Sequence, residues 1–166
     1  MDFPARPDVR SPASAMRPLD VLLRLFLAAG LGAILGVERE YRRKPAGLRT
    51  NILIALGSAL FTVLSLNLGR IGGSPDRVMA QIVTGIGFLG GGAILRERAN
   101  VHGLTTAATV WVNAAIGMAA GAGEFAMATV ATAITLVVLV MLPPIEAYCA
   151  RRAEFSDSHN HGHPHD

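Results

Sequence analysis

Five stretches of this chain carry almost no charge, and each is about as long as a bilayer is thick. Val21 to Val37 holds one ionised residue, Arg24. Thr50 to Gly69, Val78 to Leu95, Ala99 to Gly123 and Phe125 to Ile145 hold no Asp, Glu, Lys or Arg. A helix needs about 20 mainly apolar residues to cross the hydrocarbon core, where every backbone polar group must be satisfied internally. The pattern predicts an all-α integral membrane protein with five transmembrane helices, over about 21–37, 50–68, 78–95, 105–122 and 125–142. The first run is read as a retained span and not a signal peptide, because Glu38-Arg39-Glu40 and four further runs follow it.

Basic residues set the orientation. Arg39, Arg42, Arg43, Lys44 and Arg49 crowd the first connection, Arg96 and Arg98 the third, and Arg151 and Arg152 follow the last span. The other side receives Arg6, Arg10, Arg17, Arg70 and Arg77. Nine positives against five place the N-terminus outside and the C-terminus in the cytoplasm. Residues 1–18, rich in Pro, Ala, Arg and Ser, read as a disordered tail. Residues 145–166 read as a short cytoplasmic tail whose end carries His159, His161, His163 and His165, weak candidates for a soft divalent metal. Pro143-Pro144 is expected to end the last helix. With Cys149 as the sole cysteine, no internal disulfide forms.

Gly85-Ile86-Gly87-Phe88-Leu89-Gly90 spells G-x-G-x-x-G inside the third apolar run. A dinucleotide loop needs a strand before it and an acid about 20 residues later, and neither is present. The glycines read instead as helix-packing positions, since close backbone approach through small residues drives association in lipid. Gly32 and Gly36, Gly87 and Gly91, and Gly117 and Gly121 are spaced G-x-x-x-G, and Gly85, Gly90 and Gly92 add to the third set. This predicts that spans one, three and four form the tight bundle. Arg24 is expected to snorkel to the interface.

Two connections hold the candidate functional residues. The first is Glu38, Arg39, Glu40, then Lys44, Gly47, Arg49 and Thr50, with Thr50 read as the cap of the next helix. The second brackets span three: Asp76, Arg77 and Gln81 before it, Gly103, Thr105 and Thr106 after it. Ion pairs of Glu38 and Glu40 with Arg39, Arg49 or Arg96 are expected. No G-x-x-x-x-G-K-[ST] loop exists, and the single lysine, Lys44, precedes a proline, so the chain is not read as an ATPase or any other enzyme. No cofactor and no nucleic-acid surface is indicated.

The order E-R-E…K-P-A-G-L-R-T, then D-R-V-x-A-Q-I-V-x-G-I-G-F-L-G-x-G-x-I, then V-x-G-L-T-T-A-A-x-x-W closely resembles the MgtC/SapB family of bacterial inner-membrane proteins, over residues 19–144. The resemblance implies a five-span protein with its amino terminus outside. It also implies a link to low-magnesium adaptation and, in pathogens, to survival inside host cells. Members are thought to modulate membrane partners, so a non-enzymatic regulator that binds other inner-membrane proteins or further copies of itself is expected. The alternative is a magnesium transporter or its accessory subunit, against which stands the lack of a carboxylate near the middle of any run. Longer members carry a soluble domain after the last span, and this chain resembles the short form.

Overall fold

The computed structural model describes residues 16–70, 73–97 and 100–160. Five helices carry the chain: α1 (Pro18–Tyr41), α2 (Leu48–Arg70), α3 (Pro75–Gly92), α4 (Leu104–Ala122) and α5 (Phe125–Asn160). A hairpin of β1 (Leu95–Glu97) and β2 (Asn100–His102) joins α3 to α4, with Leu95 opposite His102 and Glu97 opposite Asn100. Nothing in the apolar pattern announces this hairpin, because two strands of three residues are too short to show a period.

Among the described residues, four segments are long and apolar enough to cross a membrane: α1, α2, α4 and Phe125–Glu146 of α5. Helix α3 falls short. It starts at Pro75 and stops at Gly92, where the sequence suggests 78–95, and so takes Asp76 and Arg77 into its first turn. Proline suits the first helical position, where its missing N–H costs nothing.

The core is not the one the glycine patterns suggest. Helix α2, which lacks G-x-x-x-G, lies at the centre, and α1 and α4 press on it. A methyl group at Gly32 would sit 2.7 Å from the Asn51 carbonyl oxygen, and one at Gly36 2.7 Å from Leu48 Cα. One at Gly121 would meet the Ala59 carbonyl at 2.6 Å, and one at Gly117 would run into the Ala55 carbonyl. The receiving face of α2 is a buried stripe of small residues: Asn51, Ala55, Ser58, Ala59, Thr62 and Ser65. Those pairings run α1 antiparallel to α2 and α4 parallel to it.

Helix α3 is a correction to the expected bundle. Methyl groups added at Gly85, Gly87, Gly91 and Gly92 would meet nothing within 4 Å, and Gly90 faces Ala107 at an ordinary 3.5 Å. Ile86 and Gly90 are its buried residues, while Phe88 is 83% exposed. The glycines of α3 therefore do not create close approach within the chain.

Arg24 reaches the end of α4. Its Nη1 donates to the Gly121 carbonyl at 2.7 Å, and the guanidinium covers Gly123, which ends α4 at φ +90°. A cation here satisfies an orphan carbonyl and opposes the negative end of the helix dipole. Arg24→Met is expected to cost about 1 kcal/mol, seen as a melting temperature lower by about 2–4 °C in detergent.

Helix α5 also departs from expectation, passing through Pro143-Pro144 to Asn160. The prolines deny N–H partners to the carbonyls of Leu139 and Val140, four residues earlier. Arg42 Nη2 donates to the Val140 carbonyl at 3.2 Å and replaces one of the lost bonds. The backbone of the supposed tail is therefore helical as far as Asn160, and His159 belongs to it. His161, His163 and His165, like residues 1–15, lie outside the described residues.

Candidate functional site

The end of α1 carries charge into the bundle. Arg39 is 3% exposed and Glu38 is 9% exposed, although both stand within a turn of the helix terminus. An α-helix turns 100° per residue, so adjacent residues face different neighbours. Arg39 Nη2 donates to Thr106 Oγ1 of α4 at 2.8 Å, and its Nε has no partner. Glu38 Oε1 lies 2.7 Å from Arg42 Nε, a close charge contact without hydrogen-bond alignment, and Oε2 has no partner. Arg42, one turn on, thereby links Glu38 to Val140 of α5.

The α1–α2 turn is built around these charges. Lys44 N–H donates to the Arg39 carbonyl at 2.9 Å. Arg43 and Ala46 take left-handed φ of 52° and 56°, which costs a non-glycine residue roughly 1–2 kcal/mol. Glu40 Oε2 accepts the Leu48 N–H at 3.2 Å, placing a carboxylate at the positive end of α2. Gly47 must stay bare for this, because a methyl group there would collide with Glu40 Oε2. The expected cap, Thr50, is exposed and inside the helix, while Glu40 performs that role from the preceding helix.

Beneath the turn lies an amide pair. Asn51 Nδ2 donates to the carbonyls of Ala46 (2.5 Å) and Gly47 (3.0 Å). Asn113 Nδ2 of α4 donates to the Asn51 backbone oxygen (2.7 Å) and to its Oδ1 (3.0 Å). Both asparagines are fully buried. Among the described residues, Glu38, Arg39, Arg42, Asn51, Thr106 and Asn113 form a polar junction of α1, α2 and α4, which Arg42 ties to α5 at Val140.

Of the residues singled out from sequence, Glu38, Arg39, Glu40, Gly47 and Thr106 join or frame this junction. Lys44 contributes backbone alone. Arg49, Asp76, Arg77, Gln81 and Thr105 are exposed and lie outside it. Arg42, not Arg39 or Arg49, is the partner of Glu38. The Arg96 side chain lies outside the described residues. Gly103 starts α4 at φ +89°, and a side chain there would strike the Ala93 carbonyl. From sequence, Asn113 is a candidate to hydrogen-bond across helices, as glue or as a site element, and Asn51 carries no such mark. The signal was present in the small residues 51, 55, 58, 62 and 65, which repeat at helical spacing without a glycine to advertise them.

Among the described residues, no group of three or more His, Cys, Asp or Glu could hold a metal ion. The junction supplies one carboxylate, two guanidinium groups, two amides and a hydroxyl. That set suits recognition through hydrogen bonds and charge, and holds no nucleophile paired with a base.

A family model described as the MgtC family matches residues 25–148. Protein MgtC of Salmonella typhimurium is 50% identical over 121 residues, covering 73% of this chain and 52% of its own length. The putative magnesium transporter YhiD of Escherichia coli (strain K12) is 46% identical over 127 residues, covering 72% and 59%. An uncharacterized protein of Synechocystis is 49% identical over 127 residues, covering 76% and 54%. The chain spans about half the length of the curated relatives it matches. No solved structure matches it.

Proposed function

As a member of the MgtC family, this chain is a multi-pass membrane protein, and we propose that it is a non-catalytic regulator of membrane partners in magnesium homeostasis and low-magnesium adaptation. The proposed topology has five spans in the bacterial inner membrane, with the N-terminus outside and α3 as the weakest span. The nine-to-five bias of basic residues supports that orientation.

The closed seam of α1, α2 and α4 carries the regulatory reading. Backbones in direct contact at Gly36, Gly117 and Gly121 fill the region between these helices with main chain. A hydrated cation needs room and oxygen ligands there. The buried charged groups, Glu38 and Arg39, instead sit at one end, where a partner can meet the α1–α2 turn. A charge that served topology alone would lie in solvent, whereas Arg39 is buried against Thr106.

Arg39→Met tests this reading. Met keeps the length and apolar stem of the arginine while removing its charge. Normal amounts of the variant in the membrane, together with lost growth in low magnesium, are the expected result in a strain depending on this protein. Unchanged growth would reduce the junction to architecture. A second reading, magnesium transport or assistance to a transporter, draws on the name of the Escherichia coli relative and on the unpartnered Glu38 Oε2. Purified protein in liposomes with a magnesium-sensitive dye is expected to show no uptake above empty vesicles. Clear uptake would favour the second reading.

A further inference from the structure

From the level of Asn113 to the α4–α5 turn, a groove of about 350 Å³ opens between α3 and α4, with walls from α2 and α5. Met79, Val83, Ile86, Trp111, Met118 and Met127 are its large apolar lining residues, and Glu124 is the ionisable group on it. Trp111, Val83 and Met127 are exposed, so the groove faces the surroundings of the bundle. Glu124 is exposed too, at the α4–α5 turn, with no ion-pair partner among the described residues.

We propose that this groove holds one acyl chain of a phosphatidylethanolamine molecule, with the lipid's ammonium group on Glu124. The proposal rests on the membrane reading and is independent of the regulatory one. Length supports it: Trp111 to Ala122 spans about 16 Å of helix, close to the depth of one leaflet, about 15 Å. Three methionines give walls that adapt to a flexible occupant.

Charge then selects the head group. Glu124 stands at the mouth, at the level where the helices end, and a primary ammonium can donate charge-assisted hydrogen bonds to it. Arg24, whose Nη2 lies 2.8 Å from where a Gly123 methyl would be, supplies a cation one residue away for the lipid phosphate. A zwitterion matches this pair, an anionic head group meets Glu124 with the wrong sign, and choline has no N–H to donate.

Trp111 is the chain's sole tryptophan and lines the groove, so its fluorescence reports the occupant. The full chain is placed in phosphatidylcholine vesicles containing a small fraction of brominated-chain phosphatidylethanolamine, phosphatidylcholine or phosphatidylglycerol. Brominated phosphatidylethanolamine should quench about two- to fivefold more than phosphatidylcholine at equal fraction, the range an exposed ion pair sustains. Glu124→Gln should bring that ratio to about one, and Ala115→Leu, at an exposed wall position, should lower it by filling the groove. Equal quenching by all three lipids would show bulk solvation only and overturn the proposal. Strongest quenching by phosphatidylglycerol would overturn the assignment of Glu124. Absence of quenching by any lipid would show protein covering the groove, which also defeats it.

Discussion

Gly117→Ala is expected to destabilise the protein by about 3 kcal/mol or more, the upper range for overpacking, while Gly87→Ala stabilises it by about 0.5–1 kcal/mol. The two glycines look alike in sequence, each opening a G-x-x-x-G inside an apolar run. Their surroundings differ. A methyl at Gly117 is directed at the main chain of α2, with Ala55 Cα at 2.8 Å, and main chain cannot rotate away. A methyl at Gly87 meets nothing within 4 Å, so what remains is the better helix propensity of alanine. Thermal unfolding in one detergent, followed by circular dichroism, gives both signs in a single experiment. Equal loss at both positions would mean that α3 is packed in the membrane as tightly as α4.

Asn113→Ala should cost about 2–3 kcal/mol, because it deletes two hydrogen bonds and strands the buried Asn51 Oδ1. Asn51→Ala should cost at least as much, since it also releases the carbonyls of Ala46 and Gly47 that shape the α1–α2 turn. The double variant should fall short of the sum by about 1–2 kcal/mol. Hydrogen bonds between membrane helices are typically worth about 0.6 kcal/mol, and full burial with two donor contacts places this pair above that mean. A coupling near zero would show that the amides act separately and that the junction is not one unit.

Much of the helical layout was legible because charge cannot be hidden in lipid, and the five charge-poor runs fall on five helices. The boundaries were less so. Asp76 and Arg77 mark the edge of the third run, yet the helix absorbs both, because acid is welcome in a first turn and Pro75 starts it well. Pro143-Pro144 looked like a stop, yet a guanidinium from α1, nearly a hundred residues away, supplies one of the donors the prolines lack. No local pattern encodes such a partner. Arg42 was passed over for the same reason: among five bases in one connection, composition cannot say which faces inward. The glycines misled because spacing reports what a helix could approach, not what it does approach. Small polar residues on α2 accept the neighbouring backbones as well as glycine does.

The seam between α2 and its two neighbours also bears on the order of assembly during synthesis. Helices α1 and α2 are joined by a short turn, and Gly32 and Gly36 find their seats on α2 as soon as both segments are in the bilayer. That hairpin leaves the Ala55–Ala59 ledge open. Helix α3 emerges next and gains little from docking, since few of its residues bury anything. Helix α4 then seats Gly117 and Gly121 on that ledge, parallel to α2, and α3, with few buried residues of its own, leaves the place free for it.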